Sequence, residues 1–363
     1  MNRQLSAYLD LVRVVCAVVV VLSHLGHGHL VGGYLWPFTY FGNEAVMAFF
    51  VLSGFVIAFV RDQREHTLAA YAAARVARLY SVILPAMLLA LVLDTVGQSI
   101  NAESYLNSHA VTGTGVISDY LLSLVMLNQS WQLSQHFGSD GAYWSIPYEF
   151  WYYFIFGALT LLTGLRRFVI ATLGAAVAGP KILILLPVWL LGVGTYHLFK
   201  RRPPATFGLA AATGSLLLLG FMLWTDYSSL GKGTFLGMVP DSLPWQYFIG
   251  LCIALHIYGI SPGLQRFARL FAMIDRPLSW FAGSTLALYL FHLPVIGLVH
   301  AVLANAGHSA AVSAALVISP FAVALTFGYW CELQKRPLRT VLLKLWHQNS
   351  AINHYFSNIK KRW

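Results

Sequence analysis

Leu9-Asp10-Leu11-Val12-Arg13-Val14-Val15-Cys16-Ala17-Val18-Val19-Val20-Val21-Leu22-Ser23-His24 is an apolar run bracketed by two ionisable side chains. The run is long and apolar enough to open a membrane span, and in lipid a lone span must be helical to satisfy its own backbone. Eleven residues separate Arg13 from His24. At roughly 100° per residue the two return to within about 20° of each other, on one helix face and roughly 16 Å apart along the axis. Ionisable groups inside a span are costly and mark a functional site by default. One polar face therefore reaches from one membrane edge toward the far leaflet.

Outward from this run the same character repeats. The 363 residues are 58% hydrophobic and only 10% charged, and the mean hydropathy is +0.66. That leaves too little polar surface for a soluble globule. The fold class expected is an all-α polytopic membrane protein, a bundle of about ten transmembrane helices. The spans fall near 9–30, 42–60, 77–97, 144–164, 167–180, 182–199, 205–224, 244–260, 281–303 and 310–331. The fifth and sixth are short and meet at Gly179-Pro180, as a broken or tilted pair would.

The net charge of +10 does not point to nucleic acid, because the basic residues form no stripe with interleaved aromatics. They cluster in alternate loops: Arg61, Arg64, Arg75 and Arg78; Arg166 and Arg167; Lys200, Arg201 and Arg202; Arg266, Arg269 and Arg276; and the tail after Leu333. Of the 23 basic residues only Lys181 and Lys232 fall on the opposite side. The positive-inside rule then places both termini in the cytoplasm. The chain reads as a single membrane domain over 1–363, without an appended esterase-like domain. Residues 98–143 form an outer loop with a re-entrant segment, and 333–363 a basic cytoplasmic tail. Cys16, Cys252 and Cys331 are odd in number and have no CxxC spacing, so neither a disulfide framework nor a thiolate site is indicated. His24-Leu25-Gly26-His27-Gly28-His29 lacks a carboxylate or thiolate to complete a metal shell, and no metal is expected.

Several residues bear chemistry. Histidine titrates near neutral pH, so His24 suits a general base, or else a satisfied helix-end histidine. Arg13 is either a buried cation on the His24 face or a snorkelling side chain paired with Asp10. Glu149 stands among Trp144, Tyr148, Trp151, Tyr152 and Tyr153, where a lone carboxylate needs a partner. The aromatics suit sugar stacking or an interfacial belt. His292 is mid-span, as a lining residue or an interhelical hydrogen bond. Ser53 beside Gly54 reads as packing.

Five segments in order carry a resemblance: Leu9-Asp10-x-x-Arg13 with His24; Phe49-Phe50-Val51-Leu52-Ser53-Gly54-Phe55; Arg75-x-x-Arg78-Leu79 with Pro85; Tyr143-Trp144-Ser145-Ile146-Pro147-Tyr148-Glu149-Phe150-Trp151-Tyr152-Tyr153; and Ser284 through Tyr289 with His292, Glu332 and Pro337. Together they resemble the acyltransferase-3 family of integral-membrane O-acyltransferases. Ala45 and Met47 depart from the pattern, standing where many relatives have Gly and an acidic residue, while Glu44 lies just upstream. The resemblance implies transfer of an acyl group, acetyl by default, from cytoplasmic acyl-CoA to a hydroxyl of a sugar or glycan, in a bacterial inner membrane. It implies His24, Arg13 and Glu149 as catalytic residues, and Arg75 and Arg78 on the coenzyme A phosphates, for which arginine forks are well shaped. Trp144, Ser145, Tyr153 and His292 would line the acceptor site. The competing reading is a transporter or flippase, which a ten-helix bundle with a Gly179-Pro180 break also suits.

Overall fold

The computed structural model describes residues 3–26, 30–103, 105, 115–202, 204, 207–224, 234–235, 239–240, 243–307 and 309–360, with side chains omitted at 207, 223–224, 234–235, 239–240 and 349–360. Among the described residues the regular structure is helical apart from one antiparallel pairing of β1 (Thr234–Phe235) with β2 (Val239–Pro240). In order the helices are α1 (Arg3–Gly26), α2 (Gly42–Gln63), α3 (Leu68–Ile100), α4 (Val116–Leu124), α5 (Ser145–Leu161), α6 (Gly164–Ala178), α7 (Leu186–Arg201), α8 (Phe207–Trp224), α9 (Leu243–Leu264), α10 (Ala268–Gly283), α11 (Thr285–Leu303), α12 (Ala310–Val323), α13 (Tyr329–Leu333) and α14 (Lys335–Lys360). A single turn, Pro180–Leu183, leads into α7, and a π turn, Ala324–Gly328, joins α12 to α13.

Each of the ten expected spans falls on one of these helices or helix pairs. Seven helical segments are long and apolar enough to cross a membrane: Arg3–Gly26, Gly42–Gln63, Leu68–Ile100, Pro180–Arg201, Leu243–Gly283, Thr285–Ala306 and Ala310–Gln348. The protein is an integral membrane protein. The other three, α5, α6 and α8, fall short of that test: α5 has 17 residues and α6 has 15, while in α8 the apolar stretch is Gly208–Met222. Ten crossings therefore exceed the seven that length and hydropathy support.

Local sequence explains the main joints. Thr67 caps α3, its hydroxyl accepting from the Ala70 N–H at 3.2 Å, and Ser309 caps α12 in the same way. The 33 residues of α3 span roughly 50 Å, well over a bilayer core. Leu84, Leu88, Leu91 and Val92 leave an exposed apolar stripe along it, as a lipid-facing side requires. At Gly179 (φ +81°) α6 stops, and Pro180 starts the next turn, so the break read from the sequence is a true helix end. Helices α2 and α7 cross at backbone contact. A Cβ on Gly54 would strike the Trp189 carbonyl oxygen, and one on Gly192 the Val51 carbonyl oxygen. Small residues at such crossings are how helices approach closely without a solvent-driven core.

The segment between α4 and α5 is tied down rather than free. Asn128 Nδ2 and Gln129 Nε2 both donate to the Gln135 carbonyl, at 2.8 and 2.9 Å. Trp151 Nε1 donates to the Met126 carbonyl, and the Tyr143 hydroxyl to that of Ser123, both at 2.8 Å. Asp94 on α3 holds the far end, accepting from the Ser139 N–H at 2.8 Å, the Ser139 hydroxyl at 2.6 Å and the Tyr105 hydroxyl. Gly138 (φ +50°) has no room for a side chain, because a Cβ would collide with the Asp94 carboxylate. The 98–143 loop read from the sequence thus contains, among its described residues, the nine-residue helix α4 and a buried, hydrogen-bonded strap. The basic tail begins as α14, which packs along α3.

Candidate active site

A small cavity of about 60 Å³ lies among α1, α2, α3, α5 and α11. That is space for roughly four waters. Its polar lining is Arg13, Ser53, Arg78, Ser145, Glu149, Thr285 and Tyr289, and Phe49 and Phe50 contribute to its apolar wall. The α2 residues Val46, Phe49, Phe50 and Ser53 fall at helical spacing on the face turned into it.

Within the cavity Glu149 is held on one oxygen. Its Oε1 accepts from the Ser53 hydroxyl at 2.6 Å and from the Tyr153 hydroxyl one turn along α5. Trp189 Nε1 donates to Ser53 Oγ at 3.2 Å, which fixes that hydroxyl from behind. Arg13 donates to Asp10 Oδ1 at 2.6 Å, with 17% of its side chain exposed. Arg78 has no ion pair or hydrogen bond among the described residues, although it faces the same space. Glu149, Glu332 and Asp10 act on its charge without bonding it, so its hydrogen-bond donors are left turned into the cavity.

The second polar group is a histidine pair. His24 and His292 pack with ring centroids 5.1 Å apart and planes tilted by 42°. His292 is wholly buried, and its Nδ1 lies 3.0 Å from the Leu288 carbonyl oxygen. A carbonyl only accepts, so Nδ1 carries the proton and Nε2 is the ring's acceptor. Tyr289 connects this pair to the cavity: its ring lies 6.2 Å from His292, and its hydroxyl is 2.8 Å from Ser145 Oγ. His24 itself is not among the cavity-lining residues. It stands one step beyond, toward the end of the bundle where α1 stops.

The structure thus gathers Arg13, Arg78, Glu149 and Ser145 at one cavity, and His24 with His292 beside it. Two expected residues sit elsewhere. Arg75 turns away from Arg78 and closes on Glu65 in a buried ion pair, 10% and 7% exposed. Its guanidinium also lies over the rings of Tyr71 (5.2 Å) and Tyr153 (5.7 Å). The two arginines therefore do not form a fork. Trp144 packs edge-on to Tyr148 at 5.3 Å and to Phe50 at 6.4 Å, and is not a cavity residue. Tyr153 does not line the cavity either and reaches it through Glu149 and Ser53, its hydroxyl 3.1 Å from Ser53 Oγ. Nor do Arg13 and His24 meet at one point: both side chains lean toward the helix N-terminus, which preserves their roughly 16 Å spacing.

Sequence reading overlooked Ser53 and Tyr289. Ser53 looked like packing beside Gly54; its partner Glu149 is 96 residues away, beyond any local pattern. Tyr289, one turn before His292, carried a usable signal in its spacing. Among the described residues no group of three or more His, Cys, Asp or Glu side chains is placed to hold a metal. His27 and His29, the rest of the histidine-glycine stretch, lie outside the described residues.

Comparison with known proteins identifies the family. Residues 6–331 match the model of a family described as an acyltransferase domain. An O-acetyl transferase of Shigella phage Sf6 is 25% identical over 243 residues, covering 63% of this chain and 71% of the phage protein. No solved structure matches significantly. With nearly its whole length matched, the chain belongs to this acyltransferase family and is an integral-membrane acyltransferase enzyme.

Proposed function

We propose that the protein transfers an acyl group, acetyl by default, from acyl-CoA to a hydroxyl of a sugar or glycan in the bacterial inner membrane, with both termini cytoplasmic. The observation that carries this reading is a guanidinium free of hydrogen bonds among the described residues, Arg78, on a cavity whose Tyr289 wall leads to the His24–His292 pair beside it. The phage relative's O-acetyl transfer supports the choice of acyl group and of a hydroxyl acceptor. The donor enters from the side that carries Arg61 and Arg64, and its anionic part is met by Arg78 and Arg13. Its thioester points along the α1 face toward His24, while the acceptor arrives from the opposite end.

His24 takes the acceptor hydroxyl's proton as the oxygen bonds to the thioester carbonyl carbon. Charge collects on the carbonyl oxygen, and the bonded hydroxyls of Ser145 and Tyr289 are the donors placed between Arg78 and His292 to meet it. The C–S bond then breaks, and coenzyme A leaves as the thiol with the proton returned by His24. His292 packs against the His24 ring and holds it in place. Glu149, fixed by Ser53 and Tyr153, offsets the charge of the two guanidiniums through space.

The test is turnover by purified protein in nanodiscs, following free thiol with a panel of acyl-CoA donors and glycan acceptors. Acceptor-dependent thiol release that disappears in a folded His24→Ala variant establishes the enzyme and its base. Release that persists in that variant discards His24 as the base. No release from any donor favours the transport reading.

A further inference from the structure

At the end of the bundle where His24 lies there is a second cavity, on a different face of α2. It measures about 220 Å³ and is lined by Thr39, Tyr40, Glu44, Trp245 and Gln246, among others. Glu44 and Met47 face it, whereas Val46, Phe49, Phe50 and Ser53 face the catalytic cavity. At 100° per residue these two sets lie on separate sides of the helix.

The chemistry of this cavity is specific. Glu44 Oε1 accepts from Trp245 Nε1 at 3.0 Å. Its other oxygen, Oε2, is buried with no partner, and so is Gln246 Oε1. Both orphaned atoms are acceptors, so the missing ligand brings hydrogen-bond donors. Among the described residues no cation lines the cavity and Glu44 is its one carboxylate, a lining that disfavours a phosphate or a carboxylate ligand. Trp245, only 6% exposed, and Tyr40 supply ring surface for the C–H face of a ligand. A neutral polyhydroxylated ring, with adjacent hydroxyls and an apolar face, satisfies all of these at once.

Position ties the cavity to catalysis. A Cβ on Gly42 would strike Ser23 Oγ, so the start of α2 abuts the residue next to His24. Thr39, in the cavity wall, would touch a Cβ on Gly26 at the end of α1. A chain of linked sugars that presents one hydroxyl to His24 passes this cavity with a neighbouring unit. We propose that the Glu44–Trp245 cavity is a saccharide subsite that holds the sugar adjoining the one acylated. This rests on the reading of a glycan acceptor above.

The experiment compares wild type with Glu44→Gln and Trp245→Phe, using neutral glucan, galactan and rhamnan oligosaccharides of one to six units. Binding is read by saturation-transfer NMR, transfer by thiol release. The expected result is that oligosaccharides bind wild type and that both variants raise the KM for the oligosaccharide by about tenfold, the loss of one charge-assisted hydrogen bond. The kcat and the KM for the corresponding monosaccharide stay unchanged, which also shows that the variants are folded. Equal losses for mono- and oligosaccharide overturn the subsite. So does a failure of every oligosaccharide to bind wild type, or binding of choline there in place of sugar. If wild type releases no thiol with any donor, the transfer reading fails while the NMR titration still decides the subsite, since it needs no donor: loss of the oligosaccharide signal in Glu44→Gln supports it and retention overturns it.

Discussion

One turn of α3 separates two arginines with opposite surroundings. Arg75 is closed on Glu65 and covered by two tyrosine rings, whereas Arg78 faces a cavity with no partner of its own among the described residues. Three residues turn a helix position by a net of about 60° and advance it about 4.5 Å, so Arg75 lies nearer the turn that carries Glu65 while Arg78 reaches the cavity. Where the turn after α2 folds back, it supplies Glu65, and the charge is neutralised internally. Where α1, α2 and α5 meet α3, a net positive cavity remains. The same residue type thus serves architecture on one side of α3 and ligand capture on the other.

The sharpest way to break that contrast is to remove each arginine in turn. Arg78→Ala is expected to lower kcat/KM for acyl-CoA by about a hundredfold, the scale of losing one electrostatic donor in an enclosed site, with thermal unfolding unchanged. Arg78→Lys keeps the charge without the planar fork and should recover only part of the loss. An Arg78→Ala enzyme with normal turnover would remove the cavity's claim to the donor.

Arg75→Ala should do the reverse. Leaving Glu65 buried without its cation costs about 3–5 kcal/mol, read as a lower melting temperature in detergent, with turnover per folded molecule retained. Replacing both partners, Arg75→Met with Glu65→Leu, should restore most of the stability, because the pair is then exchanged for apolar packing. If turnover falls instead while melting holds, Arg75 belongs to the donor site and the two sides of α3 are not distinct.

This contrast marks the limit of what the chain discloses in one dimension. The spacing of Arg13 and His24 places both on one side of α1, and the helix break at Gly179-Pro180 is visible because a positive φ and a missing N–H are local properties. Glu149 announces itself as a carboxylate among aromatics. By contrast Arg75 and Arg78 look alike, since their difference comes from Glu65 and from three other helices. Ser53 is indistinguishable from a packing serine until Glu149 and Trp189 close around it. The span count differs because α5 and α6 end after 17 and 15 residues, at joints whose exact place hydropathy alone does not mark. Trp144, read as a sugar platform, is taken up by Phe50 and Tyr148.

Two carboxyls carry the contrast to its finest scale. Glu149 receives two hydroxyl donors, while Asp140, in the strap before α5, is wholly buried with no side-chain donor on either oxygen, only the backbone N–H groups of Ala142 and Tyr143 nearby. Burial first, and the neighbouring Asp94 second, hold the Asp140 carboxyl well above the usual carboxylate range. The unfolded chain gives up this proton near pH 4, the folded chain only at a higher pH. Between those points the folded state binds the extra proton, so its stabilising contribution is complete below about pH 4 and is lost as pH rises through the folded value. Wild type should therefore lose melting temperature as pH rises from acid toward neutral and beyond. Asp140→Asn, which has no proton to lose, should flatten that slope and gain about 2–4 °C at the alkaline end. Parallel curves for the two proteins would mean that Asp140 does not ionise in this range. The strap would then tolerate a carboxyl as readily as the cavity does, and the distinction between a satisfied acid and an orphaned one would not hold.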